Sequence, residues 1–164
     1  MDWSPPRRRR APRRAVLVVD DEPSTRMVFG TVLRHLDGGT EVIAFEDPVK
    51  ALVWAHRHRA RLVVSDFHMP HMDGSQFVAE LRRLPGYERT PILVVSASEH
   101  GDELALAVQA GADRVLRKPA QPRELLEAAE RLIAQHRGDP EKTGLGALLA
   151  RWWRALRLRL PRGK

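Results

Sequence analysis

Five polar side chains stand at the ends of short apolar, β-branched runs. They are Asp20, Asp21, Asp66, Ser96 and Lys118. The runs have the composition of strands that are buried on both faces. Because the carboxyl ends of parallel strands meet at one edge of a sheet, we expect these five side chains to converge there.

Three carboxylates placed together raise one another's pKa, so a cation is expected among them. Oxygen ligands and the absence of Cys favour a hard ion, Mg²⁺ or Mn²⁺, over zinc. Lys118 adds a second positive charge, and Ser96 adds a neutral hydrogen-bond donor. A cation, an ammonium and a hydroxyl around one carboxylate form a receptor for a phosphoryl group. The residues therefore predict phosphoryl transfer onto Asp66, which would act as nucleophile and become an acyl phosphate.

The first elements that must position these groups are read from apolar periodicity. Strands are predicted over residues 15–19 and 41–45, and helices over 24–36 and 48–57, the second capped by Asp47. The apolar residues at helical spacing in the first helix are Met27, Val28, Val32, Leu33 and Leu36.

The same pattern continues through the rest of the domain. Strands are predicted over residues 61–65, 91–95 and 113–117. Helices are predicted over residues 76–84, 99–110 and 122–136, with Asp73 or Ser75 as the cap of the first of these.

A strand followed by a helix, repeated five times, predicts an α/β fold. We expect a five-stranded parallel sheet in the order 2-1-3-4-5, the flavodoxin-like (βα)5 arrangement, with right-handed crossovers. A further C-terminal amphipathic helix is predicted outside this unit.

Charge is distributed very unevenly along the 164 residues. Residues 1–14 carry six Arg and one acid, and residues 137–164 carry eight Lys or Arg and two acids, whereas residues 15–136 carry fourteen basic and eighteen acidic residues. A mildly acidic domain is thus flanked by two basic arms, and the arms are the segments suited to an anionic partner. Without Cys, disulfides, thiolate nucleophiles and Cys-based metal sites are excluded. No apolar run reaches the length of about 18 residues that a membrane span needs, so we expect a cytoplasmic protein.

The arms give a further set of predictions. Residues 1–14 are expected to be a disordered Arg/Pro-rich arm. Residues 137–143 are predicted to be a linker, 144–160 a basic amphipathic helix, and 161–164 a short tail.

Three alternatives remain open for the apolar stripe of the 144–160 helix. It could pack on the domain or form a homodimer, lie on an anionic membrane surface at the inner face of the membrane, or enter the groove of a partner protein. Sequence-specific DNA binding is not expected, because about twenty residues do not make a helix-turn-helix domain.

Four segments together closely resemble the receiver domain of two-component response regulators. They are Val18–Glu22, Ser65–Gly74, Val95–Ala97 and Arg117–Pro119, and the resemblance covers about residues 15–136. It implies a phosphoryl group received from a histidine kinase or a histidine phosphotransfer protein. It also implies a domain that promotes its own phosphorylation and dephosphorylation and is not a conventional enzyme.

The resemblance implies specific roles around the metal. Asp66 would be the phosphoacceptor and would also contact Mg²⁺. Asp21 would bind the ion directly, and Asp20 would act nearby through water. The backbone carbonyl of His68 would complete the protein ligands.

The resemblance also assigns the phosphoryl contacts. Ser96 and Lys118 would bind the phosphoryl oxygens, and the Lys118–Pro119 bond would be of the kind that is often cis in this family. The chain departs from the family at Val115, where an aromatic switch residue is usual, and at Ala120, where Phe is common. We therefore expect phosphoryl acceptance without the usual aromatic readout.

The first functional hypothesis is a stand-alone receiver that acts through protein contacts and has no DNA-binding output domain. The alternative is a localisation or scaffold protein whose basic tail binds a membrane or a partner under receiver control. A phosphatase with an Asp nucleophile and the same topology is a weaker alternative. Such enzymes need a second acid two residues after the nucleophile, and this chain has His68 there.

Overall fold

Five strands alternate with five helices in a computed structural model, which describes residues 15–37, 40–97 and 101–137. The strands are β1 (Ala15–Val19), β2 (Glu41–Phe45), β3 (Leu62–Asp66), β4 (Ile92–Ser96) and β5 (Arg114–Arg117). The helices are α1 (Pro23–Leu33), α2 (Pro48–Ala55), α3 (Gly74–Arg83), α4 (Gly101–Ala110) and α5 (Pro122–Arg137).

The strands form one parallel sheet in the order β2-β1-β3-β4-β5. This confirms the predicted flavodoxin-like topology. Within the sheet Asp66 is paired with Val95, and Ser96 with Arg117. Lys118 follows Arg117 directly, so the register alone brings the ends of β3, β4 and β5 to the same edge.

Alternate residues of the buried strands supply two separate apolar cores. On one face, Val63 and Val94 pack with Phe77 and other residues of α2, α3 and α4. On the other face, Val64 and Leu93 pack with residues of α1 and α5. Both faces of β1, β3 and β4 are thereby covered, which holds the strand ends rigidly.

Side-chain caps fix the starts of α2 and α3. The Val49 amide donates to Asp47 Oδ1 at 2.8 Å, as the sequence predicts. At α3 the cap is Asp73: the Gln76 amide donates to Asp73 Oδ1 at 2.9 Å, and the Asp73 amide donates to Gln76 Oε1 at 3.1 Å. Ser75, the alternative cap, instead donates its hydroxyl to Asp73 Oδ1.

Only part of the apolar pattern that predicts α1 is buried. Met27 is 68% exposed and Val28 is 42% exposed, whereas Phe29 and Leu33 are buried. Apolar residues occur around most of this helix, so periodicity does not settle which stripe is buried. The stripe containing Phe29 and Leu33 is the one that packs against β1, β2 and α5.

Arg82 of α3 fixes the segments that lead into β4 and β5. Its guanidinium donates to the carbonyls of Tyr87, Thr90 and Gly111 and to the carboxylate of Asp113. This arginine ties one helix to the starts of two neighbouring strands, whose far ends carry Ser96 and Lys118.

The predictions for the arms lie outside the described residues. This applies to the arm 1–14, to residues 138–143 of the predicted linker, to the 144–160 helix and to the 161–164 tail. Within the parts that are described, no helix combines the length and apolar character needed to cross a membrane.

Candidate functional site

The three predicted carboxylates do meet at the carboxyl edge of the sheet. One carboxylate oxygen from each of Asp20, Asp21 and Asp66 lies within 4.8 Å of the others. Asp20 is fully buried, Asp66 is 4% exposed, and Asp21 is exposed. Two acids thus form the floor of the cluster, and the third stands at its rim. A set of oxygen ligands this close together suits a hard divalent cation.

Local backbone contacts hold Asp20 in place after β1. The Glu22 amide donates to Asp20 Oδ1 at 2.8 Å, and the Arg26 guanidinium donates to the Asp20 carbonyl at 2.7 Å. Pro23 begins α1 directly after this turn, because its fixed φ suits the first helical position. The start of α1 therefore sets the direction of the Asp20 carboxylate.

Both carboxylate oxygens of Asp66 have a partner. The Phe67 amide donates to Oδ1 at 2.8 Å, and Oδ2 lies 3.0 Å from Lys118 Nζ. The β3–α3 loop then returns close to the strand, where the Gly74 amide donates to the Phe67 carbonyl at 2.7 Å. A Cβ on Gly74 would lie only 2.7 Å from the Asp66 carbonyl oxygen, so the loop needs glycine at this position.

Lys118 joins the two buried acids. Its Nζ lies 3.0 Å from Asp66 Oδ2 and 3.3 Å from Asp20 Oδ2. Its amide donates to the Ser96 carbonyl at 2.7 Å, and its bond to Pro119 is cis. Burial alone would lower the pKa of Lys118, but the hydrogen bond and charge of Asp66, together with Asp20, raise it above its ordinary value. The ammonium therefore stays protonated at neutral pH.

The pKa of Asp20 is raised above its ordinary value. Burial raises the pKa of Asp20 and the neighbouring charge of Asp66 adds to that rise, while the Glu22 amide and Lys118 oppose it without cancelling it. The site therefore favours a proton or another cation at this carboxylate.

Ser96 is fully buried at the end of β4, and its hydroxyl donates to Glu103 Oε2 at 2.7 Å. The other oxygen of the Glu103 carboxylate lies 3.0 Å from His68 Nε2. Sequence reasoning missed Glu103. The one signal available was its position as an acid in the first turn of a helix, which is an ordinary feature.

The loop after Asp66 is tightly folded around the site. The His68 side chain is 57% exposed, and its ring lies edge-on to that of Phe67 at 5.3 Å between centroids. Further on, the Met72 amide donates to the Pro70 carbonyl at 2.9 Å around His71, whose φ is +70°. This three-residue γ-turn is strained for a non-glycine residue.

Val115 stands at the predicted switch position. It lies on β5 opposite Val94 and packs, half-buried, against the core on the α2, α3 and α4 face. It offers neither a ring that could rotate nor a polar atom that could contact Ser96.

The fold and the site together define the class of this protein: a flavodoxin-like α/β domain with an acid cluster and a lysine at the carboxyl edge of its sheet. Comparison with known proteins identifies the family within that class. The response regulator receiver domain family matches residues 16–130. The chain belongs to this family, as the sequence resemblance predicted.

Individual relatives agree with this assignment. A chemotaxis protein CheY homologue of Campylobacter jejuni is 29% identical over 125 residues, which cover 76% of this chain and 95% of that protein. The cyclic di-GMP phosphodiesterase response regulator RpfG of Xanthomonas campestris is 36% identical over 120 residues. That match covers 72% of this chain, but this chain spans only 31% of the length of RpfG.

Solved structures show the same fold. The chemotaxis response regulator CheY4 of Vibrio cholerae has 33% identity and a TM-score of 0.66, with coverage of 75% of this chain and 98% of that chain. The receiver domain of a sensor histidine kinase from Pseudomonas aeruginosa has 29% identity and a TM-score of 0.67, and the match covers 74% of this chain and 98% of that one. That structure has a magnesium ion coordinated in its active site cleft.

Proposed function

We propose that Asp66 accepts a phosphoryl group from a phosphohistidine of a histidine kinase or a histidine phosphotransfer protein. The observation that carries this proposal is the placement of Lys118 Nζ, 3.0 Å from Asp66 and 3.3 Å from Asp20, beside a cluster of three carboxylates. A nucleophilic carboxylate, a fixed ammonium and a cation-binding cluster are the groups that phosphoryl transfer needs.

In the proposed reaction an oxygen of Asp66 forms a bond to phosphorus as the phosphorus–nitrogen bond of the donor histidine breaks. The histidine nitrogen leaves with the electron pair of that bond, and Asp66 becomes an acyl phosphate. Lys118 keeps its proton throughout and moves its hydrogen bond from the Asp66 carboxylate to a phosphoryl oxygen. Ser96 offers a second donor to the phosphoryl group from the end of β4.

The residues present fit a bound divalent cation. Asp20, Asp21 and Asp66 supply carboxylate oxygens, and the His68 backbone carbonyl is the further ligand that we propose. A bound Mg²⁺ ion, or Mn²⁺ as an alternative, would neutralise charge on the phosphoryl oxygens. The pKa of Asp20, which is raised chiefly by burial, supports this assignment, because a cation beside the carboxylate would offset the cost of burying its negative charge.

The test is labelling of the full chain by acetyl phosphate, followed on a phosphate-affinity gel. We expect a shifted band that requires Mg²⁺ and disappears in Asp66→Asn. The matched control is Asp102→Asn, which removes an exposed carboxylate on α4 and should label normally. Undiminished labelling of Asp66→Asn would contradict the assignment.

Output of the signal is proposed to occur through protein contacts, and the downstream protein is unidentified. Under the alternative, the chain is a localisation or scaffold protein whose tail over 144–160 binds an anionic membrane or a partner under receiver control; pairing of the tail in a homodimer is a separate hypothesis. That segment lies outside the described residues, so the alternative rests on sequence alone. Co-sedimentation with anionic liposomes, comparing the full chain with a chain ending at Arg137, tests the membrane version, and equal recovery of both would exclude it.

A further inference from the structure

The hydroxyl of Ser96 is already engaged before any phosphoryl group is present. It donates to Glu103 Oε2 at 2.7 Å, a length typical of a hydrogen bond to a carboxylate. Ser96 is fully buried, and the Glu103 side chain is 23% exposed. Contact with water therefore competes little for the hydroxyl end of this hydrogen bond.

Resting on the function proposed above, we propose that Glu103 is a positioning residue for Ser96. It holds the Ser96 hydroxyl toward α4 until a phosphoryl group on Asp66 takes over the hydrogen bond, and this exchange releases the start of α4.

The exchange follows from the chemistry of the hydroxyl. A serine has one O–H donor, so it cannot donate to Glu103 and to a phosphoryl oxygen at the same time. No covalent bond other than that of the phosphoryl transfer changes, and the proton stays on Ser96. Binding of the phosphoryl group must therefore be accompanied by loss of the contact with Glu103.

Charge acts in the same direction as the hydrogen bond. A phosphoryl group adds between about one and a half and two negative charges. It would contact Ser96 on one side, while the Glu103 carboxylate contacts Ser96 on the other. The two anions repel each other, which disfavours the original position of Glu103.

Glu103 also contacts a residue of the loop that follows Asp66. Its Oε1 lies 3.0 Å from His68 Nε2, so one carboxylate links the phosphoacceptor loop, the end of β4 and the first turn of α4. Val115 has no group that could report the state of Ser96, whereas Glu103 contacts Ser96 directly. A polar route from Asp66 to α4 is thus built into this chain.

The experiment measures the affinity of the full-length protein for beryllofluoride, a phosphoryl mimic, by calorimetry in excess Mg²⁺. Removal of the competing carboxylate in Glu103→Ala should tighten binding by about tenfold, since a hydrogen bond to a charged group contributes at least that much. Glu103→Gln keeps a neutral acceptor and should fall between this variant and the wild type. Asp102→Ala removes the neighbouring exposed acid of the same helical turn and should bind like the wild type.

A double-mutant cycle separates positioning from a general effect on the fold. In the Ser96→Ala background, Glu103→Ala should tighten binding clearly less than it does in the wild type, because only the charge repulsion is relieved once the hydroxyl for which Glu103 competes is gone. Wild-type affinity in Glu103→Ala, or equal tightening with and without Ser96, would overturn the proposal while leaving the function of Asp66 intact. Failure of the wild type itself to bind beryllofluoride would overturn both.

Discussion

Lys118 Nζ lies 3.0 Å from Asp66 Oδ2, although the two residues belong to different strand ends 52 positions apart in sequence. The same ammonium also reaches Asp20, so one cation serves two buried carboxylates. The single positive charge of Lys118 therefore does not balance the negative charges of the two carboxylates. Added positive charge should stabilise the site, and removal of Lys118 should destabilise it.

Substitution Lys118→Ala should lower the free energy of unfolding by about 2 kcal/mol in metal-free buffer at pH 7, because it leaves two buried carboxylates without their ammonium. The raised pKa of Lys118 means that its contribution is present below its ordinary pKa of 10.5 and is lost as the pH rises through the higher folded value. Chemical denaturation measures the change, and added Mg²⁺ should recover part of it.

The matched control for this variant is Lys50→Ala. Lys50 pairs with Glu46 at 2.7 Å, but both side chains are more than half exposed, and exposed pairs contribute little. Equal destabilisation by the two substitutions would show that the buried acids do not depend on Lys118.

Substitution Asp20→Asn should stabilise the metal-free protein at pH 7 by about 1 kcal/mol. The folded pKa of Asp20 is raised above its ordinary value of 3.8, so the wild type loses stability as the pH rises from that value through the folded pKa. Asn stays neutral and should not show this loss.

Denaturation curves between pH 4 and 8, with and without Mg²⁺, test this prediction for Asp20→Asn. The variant should gain less stability from Mg²⁺ than the wild type does, because a negative charge beside the cation site has been lost. A variant that is less stable than the wild type at pH 7 without metal would contradict the electrostatic account of the cluster.

Substitution Gly74→Ala should destabilise the fold by about 2 kcal/mol, because the new methyl group overlaps backbone atoms that cannot move independently. Its Cβ would lie 2.7 Å from both the Asp66 carbonyl oxygen and the Phe67 Cα. Mg²⁺ affinity should fall as well, since the loop carrying His68 must shift.

Gly30→Ala provides the contrast. In α1 the new Cβ meets its first neighbour, Val42 Cγ1, at an ordinary 3.9 Å, so the better helix propensity of Ala should stabilise the protein by roughly 0.5–1 kcal/mol. Thermal and chemical unfolding of both variants measure the difference. A Gly74→Ala variant as stable as Gly30→Ala would show that the close approach at Gly74 is not a constraint.

The sequence predicted the sheet because strand identity and sheet edge are encoded locally. Ala15–Val19 is uniformly apolar and ends in acids, and both features fix its place in a parallel sheet. The sequence did not predict which stripe of α1 is buried, because the exposed residues Met27 and Val28 are as apolar as the buried residues of the same helix. Tertiary packing, which periodicity does not contain, decided between them.

The convergence of Asp20, Asp66 and Lys118 was also predictable, since the parallel topology places strand ends together. The contact between Ser96 and Glu103 was not predictable. It depends on how α4 is placed over the end of β4, and an acid in the first turn of a helix has many possible partners. The role of Arg82 was hidden for the same reason, because three of its acceptors are backbone carbonyls, which carry no sequence signal, and the fourth, Asp113, lies 31 positions away.

The most direct test of the central claim is chemical mapping of the phosphorylated residue in the full chain. After reaction with acetyl phosphate and Mg²⁺, borohydride reduction converts an acyl phosphate of aspartate into homoserine, which mass spectrometry of peptides can locate. The account predicts homoserine at Asp66, and none when Mg²⁺ is removed by a chelator. Homoserine at Asp20 or Asp21, or an unmodified Asp66 in protein that carries phosphate elsewhere, would contradict it.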